Sequence, residues 1–532
     1  MTKKKPLVPT DVVRTYIDVH SWVGIVCGLA LFIAFYAGAI TMFETPLQRW
    51  ATPPTQLAPP PSLADTPKLI EKVLAAHPEA AKSYQVHLIT SPEQPARVSW
   101  TTGTRRAPGP TYQASLAPDG ALQVSTQEPS PVAELVDVLH QQVGLPFDHE
   151  VAMPIMGVIA LLYAVAIISG VIALLPSLVK DLFALRLGKN VKRMWLDLHN
   201  LLGVFSLPFH IIMALTAVVF AFHDQFYDAQ GAVQKIGAAP PKREAHGKPP
   251  SGAVLPPAEL ARRIEAQLPG FTLHTISYEN NPKEGVHGHI QGSDPRYGMR
   301  APTYTIGEID PRDGRITEAD YLPRLQDGWF ATIVGFFALH FGSYGGAPVR
   351  WAYFFLGLAG AFLFYSGNLL WIESRRKKAR DKGVVEQTRW SKILGSLTVG
   401  VSLGCIAGIS VTIAAAKWLP QNLGNAEAWH TWIYYAVFLA MVACAFVRGA
   451  ARSGVELLWA CAATTTLIPA TSLVAGLFGG WNHGGSAWLI DATAGLGAMS
   501  FAVMARAAYR RAATGPSDSV WALQARDRGA PA

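Results

Sequence analysis

Long apolar runs alternate with polar segments along the 532-residue chain. A run of about twenty apolar residues can cross a bilayer as a helix, because each residue advances about 1.5 Å through roughly 30 Å of hydrocarbon. Eight such runs lie at 20–43, 151–176, 199–222, 347–373, 393–416, 429–447, 456–479 and 486–505. The pattern predicts an α-helical integral membrane protein with about eight transmembrane helices.

Two long polar segments, near 45–148 and 223–330, interrupt the apolar runs. Each opens with a proline-rich linker, continues with a short helical pattern and then alternates apolar and polar residues as strands do. An Asp-Gly turn joins two short strands in each, at Asp119-Gly120 and Asp313-Gly314. Neither segment carries a Ser/His/Asp pattern or metal-ligand spacing, so we expect binding or docking there rather than catalysis. The sequence predicts two small α+β modules inserted between membrane helices.

Basic residues concentrate in alternate loops between the apolar runs, as at Arg375-Arg376-Lys377-Lys378 and in the segment 180–193. Such loops face the cytoplasm. We therefore expect a multi-pass protein of a bacterial inner membrane, with both termini in the cytoplasm and both polar modules in the periplasm. The first apolar run is longer than the core of a secretion signal and has His20 at its start, which favours an uncleaved helix.

Composition narrows the chemistry to histidine. Hydrophobic residues make up 50% of the chain, charged residues 15%, and the mean hydropathy is +0.22, which is unusual for a soluble protein. The net charge of +8 does not indicate nucleic-acid binding, because the basic residues flank apolar runs. The four cysteines lie inside apolar stretches without a CxxC pair, which argues against disulfide, zinc and iron–sulfur sites. No GxGxxG motif opens a helix after a strand, which argues against an integral NAD or flavin domain.

An internal repeat covers about the first 375 residues. A shift by the 179 residues that separate His20 from His199 superposes the pattern Arg-x-x-x-Asp-x-His-x-x-x-Gly, which runs from Arg14 to Gly24 and from Arg193 to Gly203. The second and fourth apolar runs also correspond, since each follows a Leu-His pair and contains a Ser-Gly pair: Leu139-His140 with Ser169-Gly170, and Leu339-His340 with Ser366-Gly367. The sequence predicts a duplicated four-helix core, whose repeat interface is a common place for a functional site.

The repeated histidines form two matched pairs. His20 and His199 lie near one membrane face, and His140 and His340 lie near the other. A pseudo-two-fold axis along the membrane normal would bring the members of each pair face to face. One imidazole from each of two facing helices is what bis-histidine ligation of haem needs. The pattern predicts haem iron bound through all four histidines.

His210 lies outside this symmetry. It follows His199 by eleven residues, which on a straight helix returns to nearly the same face about 16 Å deeper. Its repeat equivalent is Leu31, so it is not a symmetric ligand. It could pair with His140 or His340 as an alternative ligand near the periplasm, or hydrogen-bond a haem propionate or a neighbouring residue.

The same residues also have structural interpretations. A single membrane histidine more often hydrogen-bonds between helices than binds a metal, and only the repetition of the pairs favours ligation. Two glycines one turn beyond the first pair, Gly24 and Gly203, either make room for the macrocycle or allow close helix packing. The paired acids could cap helices and the paired arginines could be positive-inside residues or contact haem propionates: Asp18, Asp197, Arg14 and Arg193. Interface anchoring is the default for three further histidines at helix ends: His223, His430 and His483.

The chain resembles the PepSY-associated transmembrane family over about residues 12–380. The resemblance rests on the order and duplication of His20-Ser-Trp-Val-Gly24, the modules with Asp119-Gly120 and Asp313-Gly314, His199-Asn-Leu-Leu-Gly203 and Leu339-His340. It implies PepSY-like modules and a link to bacterial iron uptake, since some members are haem-containing reductases of ferric siderophores. His20, His199, His140 and His340 match the recurring histidines of the family. Where the family often has Thr-Gly, this chain has Ala37-Gly38 and Thr216-Ala217, a departure that we expect to affect packing more than ligation.

These observations lead to one prediction with alternatives. We expect a dihaem b-type protein that carries electrons from a cytoplasmic or quinol donor to a ferric siderophore or other ferric chelate in the periplasm. A transporter, a PepSY-based binding or regulatory protein without redox activity, and a different quinone-coupled haem oxidoreductase remain open. The last four helices have no assigned role. The predicted segments are the N-terminus with the first span (1–44), the first polar module (45–148), the second and third spans (149–222), the second polar module (223–330), the His-bearing segment with the fourth span (331–375), the last four spans (390–510) and a cytoplasmic tail (511–532).

Overall fold

The computed structural model describes residues 9–54, 57–91, 94–104, 107–127, 130–178, 191–225, 252–281, 285–299, 305–381, 387–419, 426–479, 481 and 487–523. The predicted basic positions 180–189, the proline-rich stretch around 240–250 and His483 lie outside these residues. Helices dominate the described part of the chain, and one sheet accompanies them.

Seven of the described helices are long and apolar enough to cross a membrane, and an eighth span results if one bent pair of helices is counted as one. The prediction of about eight transmembrane helices is confirmed. In the repeated region the long helices are α1 (Thr10–Thr41), α5 (His149–Leu174), the bent pair α6 (Val191–Phe205) and α7 (Leu207–Ala221), and α10 (Gly346–Asp381). The last four are α11 (Arg389–Ala416), α12 (Ala426–Arg448), α13 (Ala450–Gly479) and α14 (Trp488–Thr514).

The third span bends by 68° between α6 and α7. Pro208 occupies the first turn of α7, where it has no N–H to donate and its ring obstructs the preceding carbonyl. Ser206 fills the break, and its hydroxyl donates to the carbonyl of Leu202 at 2.6 Å. The bend separates His199 from His210, so the expectation of one straight helix with both histidines on one face is wrong.

Two short helices carry the other pair of repeated histidines. His140 lies on α4 (Val132–Gln141), just before α5, and His340 lies on α9 (Gly328–Phe341), just before α10. Gly342 ends α9 with a positive φ of 57°, which glycine adopts without a steric penalty. Each short helix thus precedes a long one at the same place in its repeat.

The strands of both polar modules form one eight-stranded antiparallel sheet. Its order is β4-β3-β2-β1-β5-β6-β7-β8. The strands are β1 (Ser83–His87), β2 (Val98–Thr104), β3 (Ala107–Leu116), β4 (Leu122–Gln127), β5 (Thr272–Asn281), β6 (Gly285–Ser293), β7 (Thr305–Ile309) and β8 (Ile316–Glu318). The predicted α+β modules are present, but they are joined: β1 pairs with β5 through five residue pairs from Ser83↔Glu279 to His87↔Thr275.

One hydrophobic core serves both halves of the sheet. It includes buried residues from α3 (Thr66–Ala76), from α8 (Pro257–Gln267) and from the strands, among them Leu69, Trp100, Ile264 and Ile276. The alternation along the strands therefore places apolar side chains against these two helices. The predicted Asp-Gly turns are also present, with positive φ angles of 81° at Gly120 and 78° at Gly314.

The last four helices pack against the repeated core through α11. Three glycines on α11 face α12 so closely that an added Cβ would lie 2.9–3.0 Å from it: Gly400, Gly404 and Gly408. A further link comes from α2 (Glu44–Ala51), where the Trp50 indole donates to Asp491 of α14 at 2.9 Å. The role left open by the sequence therefore includes a structural one, since α11 and α12 share a core cluster with α1 and α4.

Candidate functional site

The helix ends that connect to the sheet define a sheet side of the membrane region, and the ends away from it define a far side. His20 of α1 and His199 of α6 form a pair at the far side, which we call the far-side pair. Their ring centroids lie 6.1 Å apart and their planes meet at 75°. The repeat predicted that these two residues would meet, and the structure brings them together.

His140 of α4 and His340 of α9 form the sheet-side pair. Their ring centroids also lie 6.1 Å apart, with an interplanar angle of 37°. The carbonyl that holds His140 belongs to Ala34, fourteen residues along α1 from His20. At 1.5 Å per residue this separates the two pairs by about 21 Å along the helix. The four predicted residues thus form two layers.

Each of the four imidazoles is held through Nδ1. His20 lies 2.8 Å from the carbonyl of Ala166 and His140 lies 2.8 Å from that of Ala34. A carbonyl only accepts, so both rings carry their proton on Nδ1. His199 and His340 lie against hydroxyls instead, that of Ser366 at 3.0 Å and that of Thr216 at 2.7 Å. None of the four Nε2 atoms has a hydrogen bond within the described residues.

This donor set fits a haem iron between the members of each pair. Metal–imidazole bonds of about 2.0 Å place the centroids of two rings on opposite sides of one iron about 6 Å apart. Ligating histidines usually donate their other N–H to a carbonyl or similar group, and Nε2 then faces the metal. Among the described residues no group of three or more His, Cys, Asp or Glu side chains could hold a metal ion. Each histidine pair supplies two imidazole side chains.

Open space adjoins two glycines one turn from the far-side pair. An added Cβ at Gly24 would have no neighbour within 4 Å, and one at Gly203 would meet only Leu363, at 3.9 Å. Close packing between helices would have filled these positions. The geometry thus supports the first of the two interpretations of these glycines.

Three other glycines contact the histidine rings themselves. An added Cβ would lie 2.7 Å from His140 Nδ1 at Gly38, 2.9 Å from His20 Cε1 at Gly170 and 3.6 Å from His199 Cε1 at Gly367. Gly170 and Gly367 belong to the two Ser-Gly pairs that align the repeat, and no role was predicted for them. Their recurrence in both repeats was the signal that could have assigned one, whereas Gly38 has Ala217 as its repeat equivalent.

His210 belongs to neither pair. Its Nδ1 hydrogen-bonds the hydroxyl of Tyr163, and its ring contacts Phe35, Phe209 and Phe364. The side chain is 2% exposed, and its Nε2 is buried without a hydrogen-bond partner. Of the alternatives open from the sequence, the structure matches the hydrogen bond to a neighbour.

Thr216, the threonine that this chain keeps in its third span, contacts a histidine directly. Thr216 Oγ1 lies 2.7 Å from His340 Nδ1. Ala37, its repeat equivalent, has no hydroxyl, and His140 reaches the backbone carbonyl of Ala34 instead. The two departures from the family pattern are Ala37 and Ala217, and the expectation that they affect packing more than ligation stays a prediction.

Other sequence interpretations also change. Asp18 and Asp197 lie inside helices that begin at Thr10 and Val191, so neither caps a helix start. Asp197 is buried and pairs with Arg193 at 3.2 Å. His430 is 1% exposed and bonds the carbonyl of Ala426, so it is not an interface anchor.

Carboxylates surround the short helix that carries His140. Burial raises the pKa of Glu134 on this helix, and the neighbouring Glu427 and Asp137 add to the effect. Burial likewise raises the pKa of Glu44, followed by repulsion from Asp137 and Glu134. Protonating one of these groups relieves the repulsion on the others. The sheet-side pair therefore has an acidic surrounding that the histidine pattern did not indicate.

Taken together, the helices define a multi-pass membrane protein built on a repeated core. The family model described as the PepSY-associated TM region matches residues 17–374, well over half of the 532 residues. The chain belongs to this family. It is also similar to an uncharacterized protein of Pseudomonas aeruginosa, with 24% identity over 321 residues that cover 55% of this chain and 74% of the relative.

Proposed function

We propose that this protein is a dihaem b-type electron-transfer protein of a bacterial inner membrane that reduces a ferric siderophore in the periplasm for iron acquisition. In this proposal the far side is cytoplasmic and the sheet lies in the periplasm. A cytoplasmic or quinol donor supplies the electrons.

One observation carries the proposal. Two pairs of histidines lie about 21 Å apart along α1, and every one of the four has Nδ1 held and Nε2 without a hydrogen bond. Interhelical hydrogen bonding alone explains one such residue, but it gives no reason for two equivalent pairs with 6.1 Å between centroids. The spacing matches that of two ligands on one iron.

The residues of the chain would position and insulate the cofactor. His20 and His199 would hold one haem b and His140 and His340 the other, with Nδ1 partners that fix each ring. When bound, haem supplies one-electron chemistry through its iron. The surrounding helices exclude water, and the carboxylates near His140 set the charge at the sheet side.

The proposed substrate comes from the family resemblance, and the chemistry of iron supports it. Siderophores bind Fe(III) through hard oxygen donors, and reduction to Fe(II) weakens that binding. The sheet supplies a folded surface beside the sheet-side pair, since Gly298, after β6, approaches the carbonyl of Tyr344 between α9 and α10. We expect the chelate to dock in this region.

An absorption spectrum of the purified full-length protein tests the cofactor assignment. We expect b-type bands and a haem content of about two per chain. His20→Ala should remove one haem and leave the other. His223→Ala is the matched control, because His223 lies at a helix end, outside both histidine pairs, and bonds the Phe220 carbonyl and Asp224.

A second assay tests the reaction. The protein is reduced without oxygen and mixed with a ferric hydroxamate chelate, and Fe(II) is trapped by a coloured chelator. Reoxidation of the haem with stoichiometric Fe(II) supports the proposal. Haem without chelate reduction would leave another haem oxidoreductase, and a protein without haem bands would leave a transporter or a PepSY-type binding protein.

A further inference from the structure

The side-chain partner of His340 distinguishes it from its repeat equivalent. His140 is held by a backbone carbonyl, which no substitution removes, whereas His340 is held by the hydroxyl of Thr216 at 2.7 Å. Ala37 occupies the position of Thr216 in the first repeat. In the sheet-side pair, a backbone group therefore fixes the ring of His140 and a side chain fixes the ring of His340.

The direction of the Thr216 hydrogen bond follows from its second contact. Thr216 Oγ1 lies 2.7 Å from the carbonyl of Ile212, one turn earlier on α7. A hydroxyl has one hydrogen, and the carbonyl can only accept it. The oxygen is therefore the acceptor for Nδ1–H of His340, and the Nε2 lone pair is left for a metal.

Burial makes this contact hard to replace. Thr216 is 1% exposed, so water does not take over when the hydroxyl is removed. Among the described residues, the aromatic rings beside His340 are Phe220 at 4.9 Å, Phe341 at 5.4 Å and His140 at 6.1 Å between centroids. These contacts restrain the ring plane but do not accept its proton.

We propose that Thr216 is a positioning residue that fixes the orientation and basicity of His340 and thereby sets the affinity and reduction potential of the sheet-side haem. The inference rests on the proposed function. An acceptor on Nδ1–H makes an imidazole a stronger donor, which favours Fe(III) over Fe(II). Loss of the acceptor should raise the reduction potential and weaken haem binding about 10–100-fold.

Three variants of the full-length protein separate this role from a structural one. Thr216→Val removes the hydroxyl at nearly constant volume, and Thr216→Ser keeps it. Thr412→Val is the matched control, because Thr412 is likewise buried, at 2% exposed. Its hydroxyl also donates to a carbonyl one turn back, that of Gly408, at 2.8 Å. The control lies on α11, outside the repeated core that carries the four histidines.

The readouts are haem content, a potentiometric titration and electron paramagnetic resonance of the oxidised protein. The two haems should give different signals, because ligand planes at 75° and 37° split the iron orbitals differently. In Thr216→Val we expect the sheet-side haem to be lost or to titrate at a higher potential, while the far-side signal is unchanged. Thr216→Ser and Thr412→Val should match the wild type.

Each other outcome has a defined meaning. A wild-type protein without haem refutes the proposed function and the inference with it. Two haems in Thr216→Val with wild-type potentials and signals refute the inference alone. If Thr216→Ser loses the same haem as Thr216→Val, the hydroxyl is not the cause and the inference also fails. Loss of both haems in Thr216→Val, with Thr216→Ser intact, would make Thr216 a residue of the whole fold and would likewise contradict it.

Discussion

Gly38→Ala offers the sharpest single test of the sheet-side pair. An added Cβ would lie 2.7 Å from Nδ1 and 2.8 Å from Cε1 of His140, whereas ordinary contacts lie at 3.4–4 Å. The ring would have to withdraw by about 0.7 Å, and the 2.8 Å bond to Ala34 opposes this movement. Such overpacking costs about 1–3 kcal/mol, more than the gain of up to about 1 kcal/mol from replacing glycine in a helix.

If Gly38→Ala weakens haem binding by about 1–2 kcal/mol, the affinity for haem falls roughly 5–30-fold. Haem titration of the purified protein measures this loss, and the spectrum shows which haem is affected. Gly495→Ala on α14 is the control, since its added Cβ would meet nothing within 4 Å. Wild-type affinity for both haems in Gly38→Ala would show that the ring of His140 does not hold one.

Three further predictions concern other parts of the molecule. Gly170→Ala would bring a Cβ within 2.9 Å of His20 Cε1, so we expect the far-side haem to be lost and the sheet-side haem to remain, as read by haem content. Burial, followed by repulsion from Arg97, lowers the pKa of His87 from 6.5 to about 4; the folded sheet resists the proton that the unfolded chain binds. The free energy of unfolding of the sheet should therefore be highest above pH 6.5 and fall by up to about 3 kcal/mol toward pH 4. His87→Gln should make this free energy less dependent on pH, as measured by hydrogen exchange of β1. Asp491→Ala leaves the Trp50 indole and the Ser472 hydroxyl without their acceptor, which should cost about 1–3 kcal/mol and lower the melting temperature, while Asp491→Asn, which keeps an oxygen, should cost less.

The repeat made the two histidine pairs predictable. His20 and His199 share a pattern of residues at equal spacing, and equivalent positions in a repeated bundle tend to face each other across its axis. The same reasoning applied to His140 and His340. The repeat alone therefore predicts which histidine lies opposite each of the four.

Features without symmetry were missed. The bend at Ser206 depends on Pro208, which the apolar pattern did not resolve, so His210 was placed on a straight helix. The bond between Thr216 and His340 was not predicted, because the two residues lie 124 residues apart in sequence. The pairing of β1 with β5 was also out of reach, since each strand pattern is satisfied by neighbours within its own module.

The β1–β5 pairing has a mechanical consequence for the membrane region. Transporters of the repeat type work by rocking one bundle against the other around a central site. Here the segment that follows the first span and the segment that follows the third are bonded into one sheet through five consecutive residue pairs. A rocking motion would have to break the backbone hydrogen bonds between β1 and β5, so we expect this pairing to oppose movement of the two halves of the repeated core against each other.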